Sequence, residues 1–207
     1  MEGISHMDDR LRTVCELIRQ QAEMFLQNLD QRSDGWTALS NIVDHDGKIS
    51  ESIRNKIVMS VYAITNETTI STYNPAQPGR NGEFGIVSPP LYIDLHLIFL
   101  ANFVDHAYPN GLVAISRIIS FFQQTPAFTH ATAPDLPPSV DKLTLEFTNL
   151  SPMDANYVLG MLGARYLPSV FYKLRMIPFA SDAMSSRAYP ARGASVDGNP
   201  EGGRGRR

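Results

Sequence analysis

The stretch Leu91-Tyr92-Ile93-Asp94-Leu95-His96-Leu97-Ile98-Phe99-Leu100-Ala101-Asn102-Phe103 decides the fold. Leu91, Ile93, Leu95, Leu97, Phe99 and Ala101 fall on one side of an extended chain, with Tyr92, Asp94 and His96 on the other. Period two over so long a run reads as a strand. Asp94 and His96 interrupt the apolar run well short of the roughly eighteen residues a membrane span needs. No other stretch comes closer, so no membrane partner is expected.

Working outward, residues 56–65 are rich in Val, Ile and Tyr without Gly or Pro, and predict a second strand with both faces largely covered. Residues 66–89 turn to Thr, Asn, Gly and Pro and predict a long surface loop carrying Tyr73, Arg80 and Phe84 as contact anchors. Beyond the Pro109-Asn110-Gly111 turn, Leu112, Ile115, Ile118, Ile119 and Phe122 mark an amphipathic helix. Residues 126–130 suggest a short strand, and the proline-rich residues 131–139 a loop. Leu143, Leu145 and Phe147 alternate with Thr144 and Glu146 as a half-buried strand.

Ser151, Pro152 and Asp154 then form a helix start: an N-cap hydroxyl, a proline at the first helical position and an acid near the positive dipole end. Tyr157, Val158, Met161 and Leu162 are its expected apolar side. Residues 169–179 close the domain as a strand, with Val170, Tyr172, Leu174 and Met176 inward and Lys173 and Arg175 outward, a second candidate contact face.

At the other end, Leu11, Val14, Cys15, Ile18, Ala22, Phe25 and Leu29 recur at three- and four-residue steps, predicting a helix over residues 8–29. A short strand at 36–42 and a turn at 44–47 follow. Helices segregated on a mixed, mostly antiparallel sheet make an α+β domain over residues 8–179, with about three helices. Residues 1–7 read as a disordered or tag-like leader without a signal-peptide pattern. Residues 180–207 are Ser, Gly, Ala, Pro and Arg, too poor in apolar surface to offset ordering entropy, and are expected to be a mobile tail.

Composition narrows the function. The 207 residues are 43% hydrophobic and 19% charged, with a formal net charge of -3, as in an ordinary globular protein with no general affinity for polyanions. The terminal Arg204-Gly205-Arg206-Arg207 is short and lacks interleaved aromatics, so no nucleic-acid partner is expected. Cys15 is the sole cysteine, which excludes an intrachain disulfide and fits a buried, inert thiol. His6, His45, His96, His106 and His130 show no metal-ligand spacing. Asp44-His45-Asp46-Gly47 lacks the further ligands of a calcium loop and reads as a turn. Asp94 and His96 could pair on their strand face, but no Gly-x-Ser-x-Gly elbow accompanies them. Gly160 and Gly163 read as helix packing or a fraying end, not as a phosphate cradle. No catalytic, cofactor or metal site is expected.

Six segments taken in order carry a resemblance: NKIVMSV at 55–61, VSPPLY at 87–92 running on to Phe103, ISFFQ at 119–123, TPAFTH at 125–130, KLTLE at 142–146 and LGARYLPS at 162–169. Together they resemble the cap, or tail-terminator, proteins of extracellular contractile injection systems of the antifeeding-prophage type. The likeness runs from about residue 8 to residue 179 and leaves the tail unexplained. It implies a structural protein forming a hexameric ring on the last layer of inner tube and sheath. Its partners would be the sheath protein, the inner tube protein and a tape-measure protein. It implies assembly in the bacterial cytoplasm into a particle that is released or stays anchored. A neck or baseplate adaptor of a phage-tail-like particle, or a small hydrolase using Asp94 and His96, are the rival readings.

Overall fold

In the computed structural model, residues 9–44, 46–67, 76–78, 84–87, 91–179 and 184–188 are described. In chain order they form α1 (Arg10–Leu29), β1 (Thr37–Leu39), β2 (Lys56–Asn66), β3 (Ala76–Pro78), β4 (Phe84–Val87), β5 (Leu91–Asn102), α2 (Tyr108–Gln124), β6 (Ala127–Thr129), β7 (Lys142–Phe147), α3 (Pro152–Met161), β8 (Ser169–Phe179) and β9 (Met184–Ala188). The chain divides into two compact units, residues 1–71 with 91–179 and residues 72–90 with 180–207.

The larger unit is built on a six-stranded sheet of order β1-β2-β5-β8-β7-β6. β1 runs parallel to β2 and every other pairing is antiparallel, so the sheet is mixed and mostly antiparallel. β5 pairs with β2 on one edge and β8 on the other, which satisfies its backbone on both sides. Its second half is buried on both faces. Leu95, Leu97, Phe99 and Ala101 enter one cluster with α1 and α2, while Ile98 and Leu100 enter another with α3. Each fully buried side chain of this size contributes about 1.5–3 kcal/mol, so β5 is the unit's central support.

Two irregularities shift the alternation. Relative to β5, β2 carries an extra residue between Val61 and Ala63, and β8 carries one between Leu174 and Ile177. The β8 bulge moves the core face on by one residue, so Ile177 continues the line of Val170, Tyr172 and Leu174; the side chain of Met176, expected inward, lies outside the described ones. Sequence alternation alone misses this because a bulge leaves no period of its own.

The helices follow their patterns with local departures. α1 buries Val14, Cys15, Leu17, Ile18, Ala22 and Leu26, whereas Leu29, in its last turn, is 54% exposed. α2 buries Ala114, Ile115, Ile118, Phe121 and Phe122 but leaves Leu112 and Ile119 outward. Gly111 lies where an added Cβ would come within 3.0 Å of the Phe103 Cβ, so α2 crosses β5's end at glycine distance. α3 starts as its sequence specifies, with the Asp154 amide donating to Ser151 Oγ at 3.2 Å. It ends on Gly163 at φ +68°, where the Gly163 and Ala164 amides donate back to the Gly160 and Leu159 carbonyls. Gly160 has open space around it, so close packing does not explain it.

The smaller unit contains a three-stranded antiparallel sheet of order β3-β4-β9. Two of these strands fall where composition suggests a loop, and β9 falls within the span read as a tail. Each is short, and their pairing is non-local, so no run of alternation in the sequence announces them.

Candidate interaction surfaces

The sheet's second face is divided in two. Its apolar half, around Val58, Ile98, Leu100 and Phe171, is covered by α3 and by Ile42 and Ile53. Farther along the same alternating positions the residues turn polar: Tyr62 and Thr65 on β2, Asp94 and His96 on β5, Lys173 and Arg175 on β8, and Glu146 on β7. Lys173 Nζ lies 2.8 Å from a carboxylate oxygen of Asp94, which is only 1% exposed. Arg175 donates Nε–H to buried Glu67 at 2.8 Å and Nη1–H to Glu146 at 2.9 Å. Thr65 Oγ1 and His96 Nε2 share a hydrogen bond of 2.9 Å, with the imidazole tilted against the Tyr62 ring.

Lys173 and Arg175, read from the sequence as a contact face, are therefore brought together with carboxylates of their own chain. Two cations meet three carboxylates, so this patch presents an internally paired network and no surplus positive charge. Of the loop anchors, Tyr73 and Arg80 lie outside the described residues. Phe84 opens β4, opposite Pro78 and Ala188.

Asp94 and His96 do not form a dyad of their own: one engages Lys173, the other Thr65. Burial, reinforced by the nearby Lys173 charge and opposed by Asp94, holds the His96 pKa below its ordinary value, which favours the neutral ring. Cys15 is buried, and burial followed by the neighbouring Glu16 charge pushes its thiol up to about 11. Among the described residues no group of three or more His, Cys, Asp or Glu side chains could hold a metal ion, and no helix is long and apolar enough to cross a membrane.

Two other surfaces stand out, and the sequence reading placed neither. On the α1/α2 side, Phe25, Leu29, Leu112 and Val113 line an open apolar groove that runs to Arg117. Beside it lies a cavity of about 360 Å³ lined by Arg32, Trp36, Asn55, Phe103 and Arg117, among others. The Arg32 and Arg117 guanidinium carbons sit 4.7 and 5.6 Å from the Trp36 ring centroid, so both cations use one indole. Arg32 Nη1 donates to the Asn55 carbonyl at 2.8 Å. Arg117 Nη1 is buried without a hydrogen-bond acceptor, its nearest ion contact being Asp30 at 3.7 Å.

On the opposite side of the sheet, α3 turns Met153, Tyr157 and Met161 to solvent at 67%, 67% and 68% exposure. Four-residue steps place them in one line along the helix. Tyr157 and Met161 were expected to face inward; the side chains that pack inward are Ala155, Val158, Leu159 and Leu162. The signal was present in the sequence, because a helix apolar all round has more apolar surface than one sheet face can cover.

The family model described as the Pvc16 N-terminal domain matches residues 13–192. Among curated proteins, none matches the sequence. A cryo-EM structure of the sheath/tube terminator of an extracellular contractile injection system, PVC, in its extended state shares the fold at TM-score 0.59 and 10% identity, over 92% of this chain and 63% of that one. The tube-terminating cap of the anti-feeding prophage aligns at TM-score 0.56 and 8% identity, over 88% of this chain and 59% of that one. The chain thus spans less than two thirds of either neighbour's length.

Proposed function

We propose, from the premise that this chain belongs to the Pvc16 N-terminal domain family, that it is a structural subunit closing the end of the inner tube and sheath of a contractile injection system. One observation carries the reading. Nearly the whole described chain falls within that family, and its fold is shared along most of its length with a sheath/tube terminator. The copies form a hexameric ring on the last layer of tube and sheath, at a length set by a tape-measure protein. Assembly takes place in the bacterial cytoplasm, before the particle acts outside the cell. The domain over residues 8–179 supplies the ring.

A non-enzymatic role is supported by how the polar side chains are used. Lys173, Arg175 and His96 are each engaged by a neighbouring residue of the sheet, Asp94, Glu146 and Thr65 respectively. Tyr73, Arg80 and Phe84, with the Lys173 and Arg175 face, remain the proposed contacts to sheath and tube.

Deleting the gene and imaging the particles tests the reading. Tubes or sheaths of uncontrolled length, or none assembled, are expected. Extended particles of normal length would contradict it.

A further inference from the structure

We infer that the α1/α2 groove of one copy receives the α3 stripe of a second copy, head to tail. The inference rests on the reading of the chain as a ring-forming cap and names the surfaces that would close the ring. Both surfaces are apolar and open to solvent in the single chain: Leu29, Leu112 and Val113 are 54%, 45% and 48% exposed, and the α3 line is more exposed still. They lie on opposite faces of the same sheet, because α1 and α2 pack on the Leu97 and Phe99 side and α3 on the Ile98 and Leu100 side. A patch and its complement on opposite sides of one subunit make a heterologous contact, the kind that generates rings when the rotation closes.

Charge selects a second copy as the occupant. The groove ends at Arg117, whose side chain is 26% exposed and whose nearest ion contact, Asp30, lies at 3.7 Å. The stripe begins beside Asp154, the sole acid on α3, whose exposed carboxylate accepts only the Ser151 hydroxyl, at 2.7 Å, among the described side chains. A carboxylate delivered to the exposed part of that guanidinium would add a charge-assisted hydrogen bond at the groove's end. Met153, Tyr157 and Met161 would then lie along Leu29, Leu112 and Val113. Flexible methionines flanking one aromatic anchor suit such a groove.

Disulfide trapping in the cells that make the protein tests the contact. The full chain carrying Val113→Cys and Tyr157→Cys replaces the wild type, and lysates are oxidised and run without reductant. The two positions lie on opposite sides of the sheet, too far apart to bridge within one copy, and the native Cys15 is buried. A ladder extending beyond dimer is expected from the double variant, and monomer from each single variant. Leu112→Cys with Met161→Cys, a second pair, guards against one badly angled bridge. Monomer from both pairs, or dimer from Val113→Cys alone, overturns the inference. The deletion experiment keeps the two ideas apart. Uncontrolled tube lengths without a ladder would leave the cap reading standing and remove this contact. A ladder beside normal-length particles in the deletion would do the reverse.

Discussion

α1 and α3 rest on opposite faces of one sheet and are used differently. α1 buries six side chains in its twenty residues and bonds its polar flank to the chain that follows: Glu23 accepts from the Trp36 and Thr37 amides, the Thr37 hydroxyl and Gln27. α3, ten residues long, buries only Leu159 fully and leaves its other apolar line in water. The first helix is committed to the fold of its own chain. The second holds the fold with one side and keeps the other for a partner. Stability and assembly should therefore separate by face, and substitutions can test that separation.

The largest loss of stability belongs to the α1/α2 side. Phe99 is 1% exposed and meets Phe122 and Tyr172 at ring centroids 5.2 and 5.8 Å away. Phe99→Ala should cost about 3–5 kcal/mol in denaturant unfolding, because the surrounding rings can collapse only partly into the space. A cost under about 1 kcal/mol would show that this face is not the fold's support.

Glu23 gives an intermediate effect with a pH signature. Burial opposes its charged form, but the hydrogen bonds from Thr37, Trp36 and Gln27 outweigh it and hold the carboxyl below its ordinary pKa. A group lowered in this way stabilises the fold above its unfolded pKa, near 4.3, and that stability is lost as pH falls through the folded value. Glu23→Gln should cost about 1–3 kcal/mol at pH 7 and flatten the acid limb of a stability-pH curve below about pH 5. An unchanged acid limb would locate the sensitivity elsewhere.

Much of this contrast could be read from the sequence, and the gaps have physical causes. β5, β8 and the Ser151 cap were legible because period-two alternation and capping chemistry are local signals. The place of Ile177 on the core face was not, since a bulge is fixed by the partner strand. The pairing of Lys173 with Asp94 and of Arg175 with Glu67 was missed because each joins residues distant in sequence. Leu29, Leu112 and Ile119 carry helical periodicity, yet whether a neighbour covers them depends on tertiary placement. Tyr157 and Met161 show the same limit in reverse: spacing groups them, but it does not say whether the chain's own sheet or another subunit covers them.

The smallest effect on stability should accompany the largest effect on assembly. Tyr157→Arg keeps a good helix former at an exposed position and should change unfolding free energy by less than about 0.5 kcal/mol. Supplied to cells lacking the native gene, the variant tests the account most directly through the length distribution of their particles. A normally folded Tyr157→Arg chain that fails to restore uniform length is the predicted result. Full restoration of uniform particles would contradict the claim that this face exists to be covered by a partner.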